Sequence, residues 1–182
     1  MGHLPENINL SLEFDLNSLK EIYLAGGCYW GTQAYMDRIK GVYESSVGFA
    51  NGHSENPTYE DVCTGETGYA ETVKIVYDVT KTNLISLLNE YFSTINPTSI
   101  NKQGGDFGHQ YRTGIYFVDE GDTEIINSFL KEKEPLYSLP LAIEVQPLKN
   151  YYEAHEAHQK YLEKNPNGYC HINLEVLRNK KQ

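Results

Sequence analysis

The stretch EIYLAGGCYWGTQAYMDRIKG, residues 21–41, changes its period in the middle. Residues 21–27 read as a short buried strand that stops at the paired glycines. After Cys28 the spacing turns helical: Trp30, Ala34 and Ile39 share one face, and Gly41 is a natural stop. A strand that runs through two glycines into a helix opens a chain in which helices pack on a sheet.

The neighbouring segments extend that pattern. VYESSVGFANG (42–52) alternates as a strand and ends in a turn. NPTYEDVCTG (56–65) predicts one or two helical turns between a proline start and a glycine end. AETVKIVYDVT (70–80) is the clearest strand, with Val73, Ile75 and Tyr77 alternating against Lys74 and Val76. TNLISLLNEYFSTIN (82–96) is the clearest amphipathic helix, carrying Leu84, Leu87, Leu88 and Tyr91 on one stripe. The glycine-rich NKQGGDFGHQ (101–110) predicts a loop. Strand YRTGIYFVD, helix TEIINSFLKEKE, strand AIEVQPLKN and helix YYEAHEAHQKYLEKN follow, then an irregular tail. This order predicts one α+β domain with helices packed on a mixed sheet.

Composition narrows the function. The chain has 182 residues, 40% of them hydrophobic, which suits a single domain over 1–182 with an N-terminal extension (1–19) and a tail (164–182). The net charge of -10 argues against nucleic acid, which demands clustered Lys and Arg. The basic end RNKKQ (178–182) is too short to reverse that and reads as a solvated terminus. The N-terminal residues lack a signal-peptide pattern, and no apolar run reaches membrane-spanning length. The expectation is a cytoplasmic monomer without membrane contact; the opening MGH is compatible with a cloning remnant.

There are three cysteines, Cys28, Cys63 and Cys170, an odd number at wide spacing with no C-x-x-C pair. That is neither a disulfide scaffold nor a structural zinc site. Cys28 ends the glycine turn and opens a helix, where unpaired backbone N–H groups favour a thiolate and can lower a thiol pKa from about 8.5 into the range ~3.5–7.5. A buried, inert cysteine at the strand–helix junction is the plain alternative. Phosphate-loop readings fail, because Thr32 stands where the Walker spacing from Gly26 and Gly31 requires Lys. HEAH (155–158) spaces its histidines three apart rather than four, so no metalloprotease site is expected.

The segments GGCYWG (26–31), NPTYEDVCTGETGYAE (56–71), GGDFGHQYRTGIYF (104–117) and NPNGYCHINL (165–174) occur in this order. Together they resemble the A class of peptide methionine sulfoxide reductases over residues 21–173. Three positions depart from the family pattern: Tyr29 stands in place of phenylalanine, Tyr69 in place of histidine, and His109 in place of a small or hydroxyl residue. The resemblance implies a two-layer α+β sandwich with a ferredoxin-like core. It also implies reduction of methionine S-sulfoxide, free or in proteins, without metal or cofactor. Cys28 would attack the sulfoxide sulfur and become a sulfenic acid. Glu71 would protonate the oxygen, its carboxyl poorly hydrated at the start of a strand. Tyr59 and Tyr111 would hydrogen-bond that oxygen, Asp106 would orient the polar network, and Tyr29 and Trp30 would wall the methyl group. Cys170 in its mobile tail would swing in to form a disulfide with Cys28, which thioredoxin would reduce. Cys63 is expected buried and inert. Two other classes fit the residues alone. One is a thiol hydrolase with Cys28 activated by His109, His155 or His158; the other is a peptide-binding module using the aromatic surface.

Overall fold

The computed structural model describes residues 4–180; the MGH opening and the last two residues of the basic end lie outside it. Strand β1 (Leu19–Ala25) leads through the glycines into α1 (Tyr29–Met36), then β2 (Val42–Ala50), α2 (Tyr59–Cys63), β3 (Ala70–Asp78) and α3 (Leu84–Phe92). A small hairpin of β4 (Lys102–Gln103) and β5 (Asp106–Phe107) precedes β6 (Gly114–Phe117), α4 (Asp122–Lys133), β7 (Glu144–Pro147), β8 (Tyr151–Glu153) and α5 (Tyr161–Lys164). The main sheet has six strands in the order β7-β6-β1-β3-β2-β8. Its inner four, β6-β1-β3-β2, are antiparallel and have the ferredoxin-like order; β7 adds parallel to β6 at one edge and β8 antiparallel to β2 at the other.

Strand alternation sorts the two faces. Ile22 and Leu24 of β1, Val47 and Phe49 of β2, and Val73, Ile75 and Tyr77 of β3 join the main core with Met36 of α1, Leu87 and Leu88 of α3, and Ile126 and Phe129 of α4. The other face is thinner, with Tyr23, Ala25, Ala50, Ala70 and Tyr116 under Leu148 and Tyr151. The stripe read on α3 is the one that is buried, and Asn83 caps that helix by accepting the Ser86 N–H. Helix α1 is covered on its outer side as well, by α5 and the C-terminal segment.

Several expectations fail. The helix expected over 151–165 is instead β8, a 3-10 turn at Glu156–His158 and the single turn of α5. The glycine-rich loop contains the β4–β5 hairpin. The tail is docked, with Ile172 and Leu177 buried and a 3-10 helix at Leu174–Asn179. Lys180 of the basic end pairs with Glu90 instead of lying free in solvent. Cys63 is exposed, because α2 buries only Val62.

Candidate active site

Cys28 is the N-cap of α1, held at 7% exposure where β1 turns into the helix. Gly27 makes the turn possible: its φ is +76°, and a Cβ there would stand 2.8 Å from both Gln103 Cβ and His171 Nε2. Its N–H donates to the Tyr111 carbonyl at 3.2 Å, which ties the cysteine turn to the segment after the hairpin.

Glu71 lies on the core face of β3 by the same alternation that buries Val73 and Ile75, and it is 1% exposed. Its Oε1 accepts the Tyr29 N–H at 3.2 Å, one of the orphan donors at the start of α1. Its Oε2 is buried without a partner. Burial raises its pKa to about 8, the Tyr29 N–H opposing and Asp106 adding to the rise. The carboxyl therefore holds its proton near neutrality.

The thiolate expected of Cys28 is not its resting state. Burial, and after it the charge of Glu71, push the thiol pKa up; only the Trp30 N–H favours the thiolate, and its geometry falls short of a capping bond. At rest the site thus holds a thiol beside a carboxylic acid, both desolvated.

Tyr59 and Tyr111 are half-buried against the core. Burial raises both phenols, helped at Tyr59 by a hydrogen bond with Cys63, and both are close enough to Glu71 to sense it, so both hydroxyls stay protonated. Asp106, on β5, acts electrostatically on Cys28, Glu71 and Tyr111, and its Oδ2 accepts the Tyr169 hydroxyl at 2.9 Å. Cys170 is half-buried, its thiol donating to the Ile172 carbonyl at 3.2 Å. Its Sγ sits 2.9 Å from where a Cβ on Gly31 would stand, so it is already docked on the first turn of α1.

The aromatic wall is larger than Tyr29 and Trp30. Trp30 stacks on Tyr161 with centroids 3.7 Å apart and donates from Nε1 to His158 Nδ1 at 3.2 Å. His158 stacks in turn on Tyr59 at 4.7 Å. Tyr29 packs its ring against Phe49, and its hydroxyl is buried without a partner. The structure thus brings all the expected site residues together and adds His158, which the sequence reading had named only as a possible activator of Cys28 in a hydrolase, with Tyr161, Tyr169 and His171, which it had not placed there. A false helix hid the places of His158 and Tyr161; the motif NPNGYCHINL contained the others. Cys63 joins the rim, near Tyr29, Tyr59 and Tyr111, where partial burial of its sulfur keeps it a neutral thiol.

Among the described residues no histidine is hydrogen-bonded to Cys28. His155 is exposed and caps its own 3-10 turn, and His109 lies by Arg112 and Glu144. No group of three His, Cys, Asp or Glu among those residues is placed to hold a metal ion, and no helix is long and apolar enough to cross a membrane. A cavity of about 620 Å³ lies elsewhere, between the N-terminal arm and Arg38, Lys160 and Glu163.

A ferredoxin-like sheet with a cysteine at a helix start, near a buried carboxyl of raised pKa, defines a thiol-based oxidoreductase site. The chain belongs to the peptide methionine sulfoxide reductase family, whose model matches residues 20–182. It is 54% identical over 157 residues to a peptide methionine sulfoxide reductase MsrA of Clostridium botulinum (strain Okra / Type B1), covering 86% of this chain and all of that one. Among solved structures it is similar to Mxr1 of Saccharomyces cerevisiae in reduced form, with a TM-score of 0.82 and 33% identity over 88% of this chain and 94% of that one. Methionine sulfoxide reductase A of Corynebacterium diphtheriae also gives 0.82, at 34% identity over 90% and 83%.

Proposed function

We propose that this chain reduces methionine S-sulfoxide, free and in proteins, with Cys28 as nucleophile and Glu71 as general acid. The observation that carries the reading is the Cys28 thiol held at the same helix start as a buried carboxyl whose pKa is about 8. Glu71 donates its proton to the sulfoxide oxygen, and Tyr59 and Tyr111 hydrogen-bond it as the S–O bond breaks. The sulfur of Cys28 takes the oxygen, and its thiol proton returns to Glu71. Thiol plus sulfoxide gives sulfenic acid plus methionine. Cys170 then displaces the hydroxyl as water, forming a Cys28–Cys170 disulfide that thioredoxin, at about −270 mV, reduces. The S-methyl group rests on the wall of Trp30, Tyr29 and His158, with Asp106 ordering the polar side through Tyr169. The reading takes residues 1–182 as one reductase domain. Its three free thiols suit a reducing cytoplasm.

Offered a racemic methionine sulfoxide peptide with excess dithiothreitol, the enzyme should consume half and leave the R epimer on a chiral column. Oxygen and methyl occupy chemically opposite walls, so the wrong hand would leave its oxygen unpaired at a cost of about 1–3 kcal/mol. Equal consumption of both hands overturns this assignment of the walls. Without reductant, two thiols should disappear together, Cys28 and Cys170. A covalent acyl-enzyme with all thiols but one intact would return the hydrolase reading.

A further inference from the structure

We propose that His171 is the base that takes the thiol proton of Cys170 in the resolving step, with Asp106 stabilising the imidazolium that forms. This rests on the reading of Cys170 as the resolving cysteine.

The ring of His171 is wedged between three backbones of the site. A Cβ on Gly27 would meet its Nε2 at 2.8 Å, and one on Gly104 of the hairpin would meet its Cβ at 3.1 Å. A Cβ on Gly31 would stand 3.6 Å from its Cε1 and 2.9 Å from Cys170 Sγ. The imidazole and the resolving sulfur therefore face the same turn of α1, beside the backbone that carries Cys28. Both ring nitrogens are buried, and neither makes a hydrogen bond of good geometry, the Gly26 carbonyl being the one backbone acceptor within reach. Phenylalanine in the same slot would fill it without that penalty, so packing alone does not account for an imidazole here. The Gly26 carbonyl and the Asp106 carboxylate both lie where they favour a protonated ring, against the opposing effect of burial.

The resolving step needs a base, because only a thiolate attacks sulfenic sulfur. Cys170 at rest is a thiol bound to the Ile172 carbonyl, and burial pushes its pKa up. Glu71 is unsuited near neutrality, since it leaves the first step holding its proton. His171 is neutral through burial and can accept. The groups that face it are Asp106 on β5, Gln103 on β4, the Gly26 carbonyl and the Cys170 thiol. The step balances: the Cys170 proton goes to His171, the S–S bond forms as the S–O bond of the Cys28 sulfenic acid breaks, and the departing hydroxide takes the Glu71 proton to leave as water. The imidazolium then returns a proton to Glu71.

His171→Phe keeps a ring in the slot and removes the nitrogens; His171→Ala empties it. In single turnover by rapid quench, methionine release reports the first step and loss of the second thiol the resolving step. Near neutrality the ratio of second-step to first-step rate should fall by about 10²-fold or more in both variants, the usual range of general-base effects. Sulfenic acid should accumulate on Cys28, seen by dimedone labelling, and added imidazole should restore His171→Ala but not His171→Phe. A wild-type ratio in His171→Phe would show that the nitrogens are not used and overturn the proposal. If the second thiol lost from the wild type is Cys63, the proposal falls with the resolving assignment beneath it, a failure distinguishable by mapping the disulfide.

Discussion

The proton chemistry proposed for this site turns on a single carboxyl. Glu71 occupies a position that strand parity assigns to the core: residues 71, 73, 75 and 77 share a face, and all four are buried. That parity was legible in the sequence; the motif and the parity together distinguish this glutamate from an exposed strand end. What the sequence could not supply is the bond from the Tyr29 N–H, which depends on where α1 begins over β3. Glu71→Gln should slow methionine release in single turnover by about 10²–10⁴-fold, the range of a lost general acid. In the wild type that step should fall as pH rises through about 8, where the acid form is lost, and the Gln variant should lack this limb. The stability sign follows from the same shift. The native carboxyl keeps its proton between its ordinary 4.5 and about 8 while the unfolded one has lost it, so this group favours folding less as pH rises through that window. A pH–rate profile of Glu71→Gln that retains the wild-type limb would move the acid role to another group.

At the scale of elements, most of the sheet and α1, α3 and α4 were readable because each has a clean period and a stop signal. The segment after β7 was not. Its residues are good helix formers, and local propensity is overridden by partners far away in sequence. β8 pairs with β2, and the Ala154 N–H donates to the Val47 carbonyl. Gln159 then closes on Val47 from both sides, accepting its N–H at 2.9 Å and donating to its carbonyl at 2.8 Å. Lys160 follows at a left-handed φ of +53°, its N–H on Gln33 and its Nζ 2.6 Å from the buried Asp37. These ties, none visible as a local pattern, set His158 and Tyr161 against Trp30. Gln159→Ala leaves the Val47 amide groups without those partners and loosens the wall without touching Cys28 or Glu71. The expected result is a KM for a sulfoxide peptide raised about tenfold with kcat changed much less, together with a lower Tm. A fall in kcat alone would show that the clamp serves the chemistry and not the wall.

Across the whole molecule, the two ends of the chain meet over α1. Asn9 clamps the end of that helix by donating to the Asp37 and Ile39 carbonyls and accepting the Gly41 N–H, while Arg38 reaches the Pro5 carbonyl on one side and Glu163 on the other. The C-terminal segment covers the helix start: Tyr169 bonds Asp106, Ile172 and Leu177 enter the core, and Lys180 pairs with Glu90. Cys170, the proposed resolving cysteine, therefore starts docked, where its glycine-containing sequence had suggested a mobile arm. A disulfide requires the two sulfurs at about 2.05 Å and the Cβ atoms near 3.8 Å. Cys170 now points its thiol at the Ile172 carbonyl and rests on Gly31, three positions beyond Cys28. Closing the bond requires Cys170 to leave the Ile172 carbonyl, and the expected route turns the Tyr169–His171 backbone, withdraws the imidazole from its slot and strains the Tyr169–Asp106 bond. The cost should appear in the tail alone, since the sheet takes no part. Hydrogen exchange of the reduced and the sulfoxide-oxidised protein should then differ over residues 166–180, with amides there exchanging at least about tenfold faster after oxidation, roughly 1.4 kcal/mol of lost protection. Amides of β1, β2 and β3 should be unchanged. Equal tail protection in both states would mean that the disulfide closes within the resting packing, and His171 would then have to keep its slot through the whole cycle.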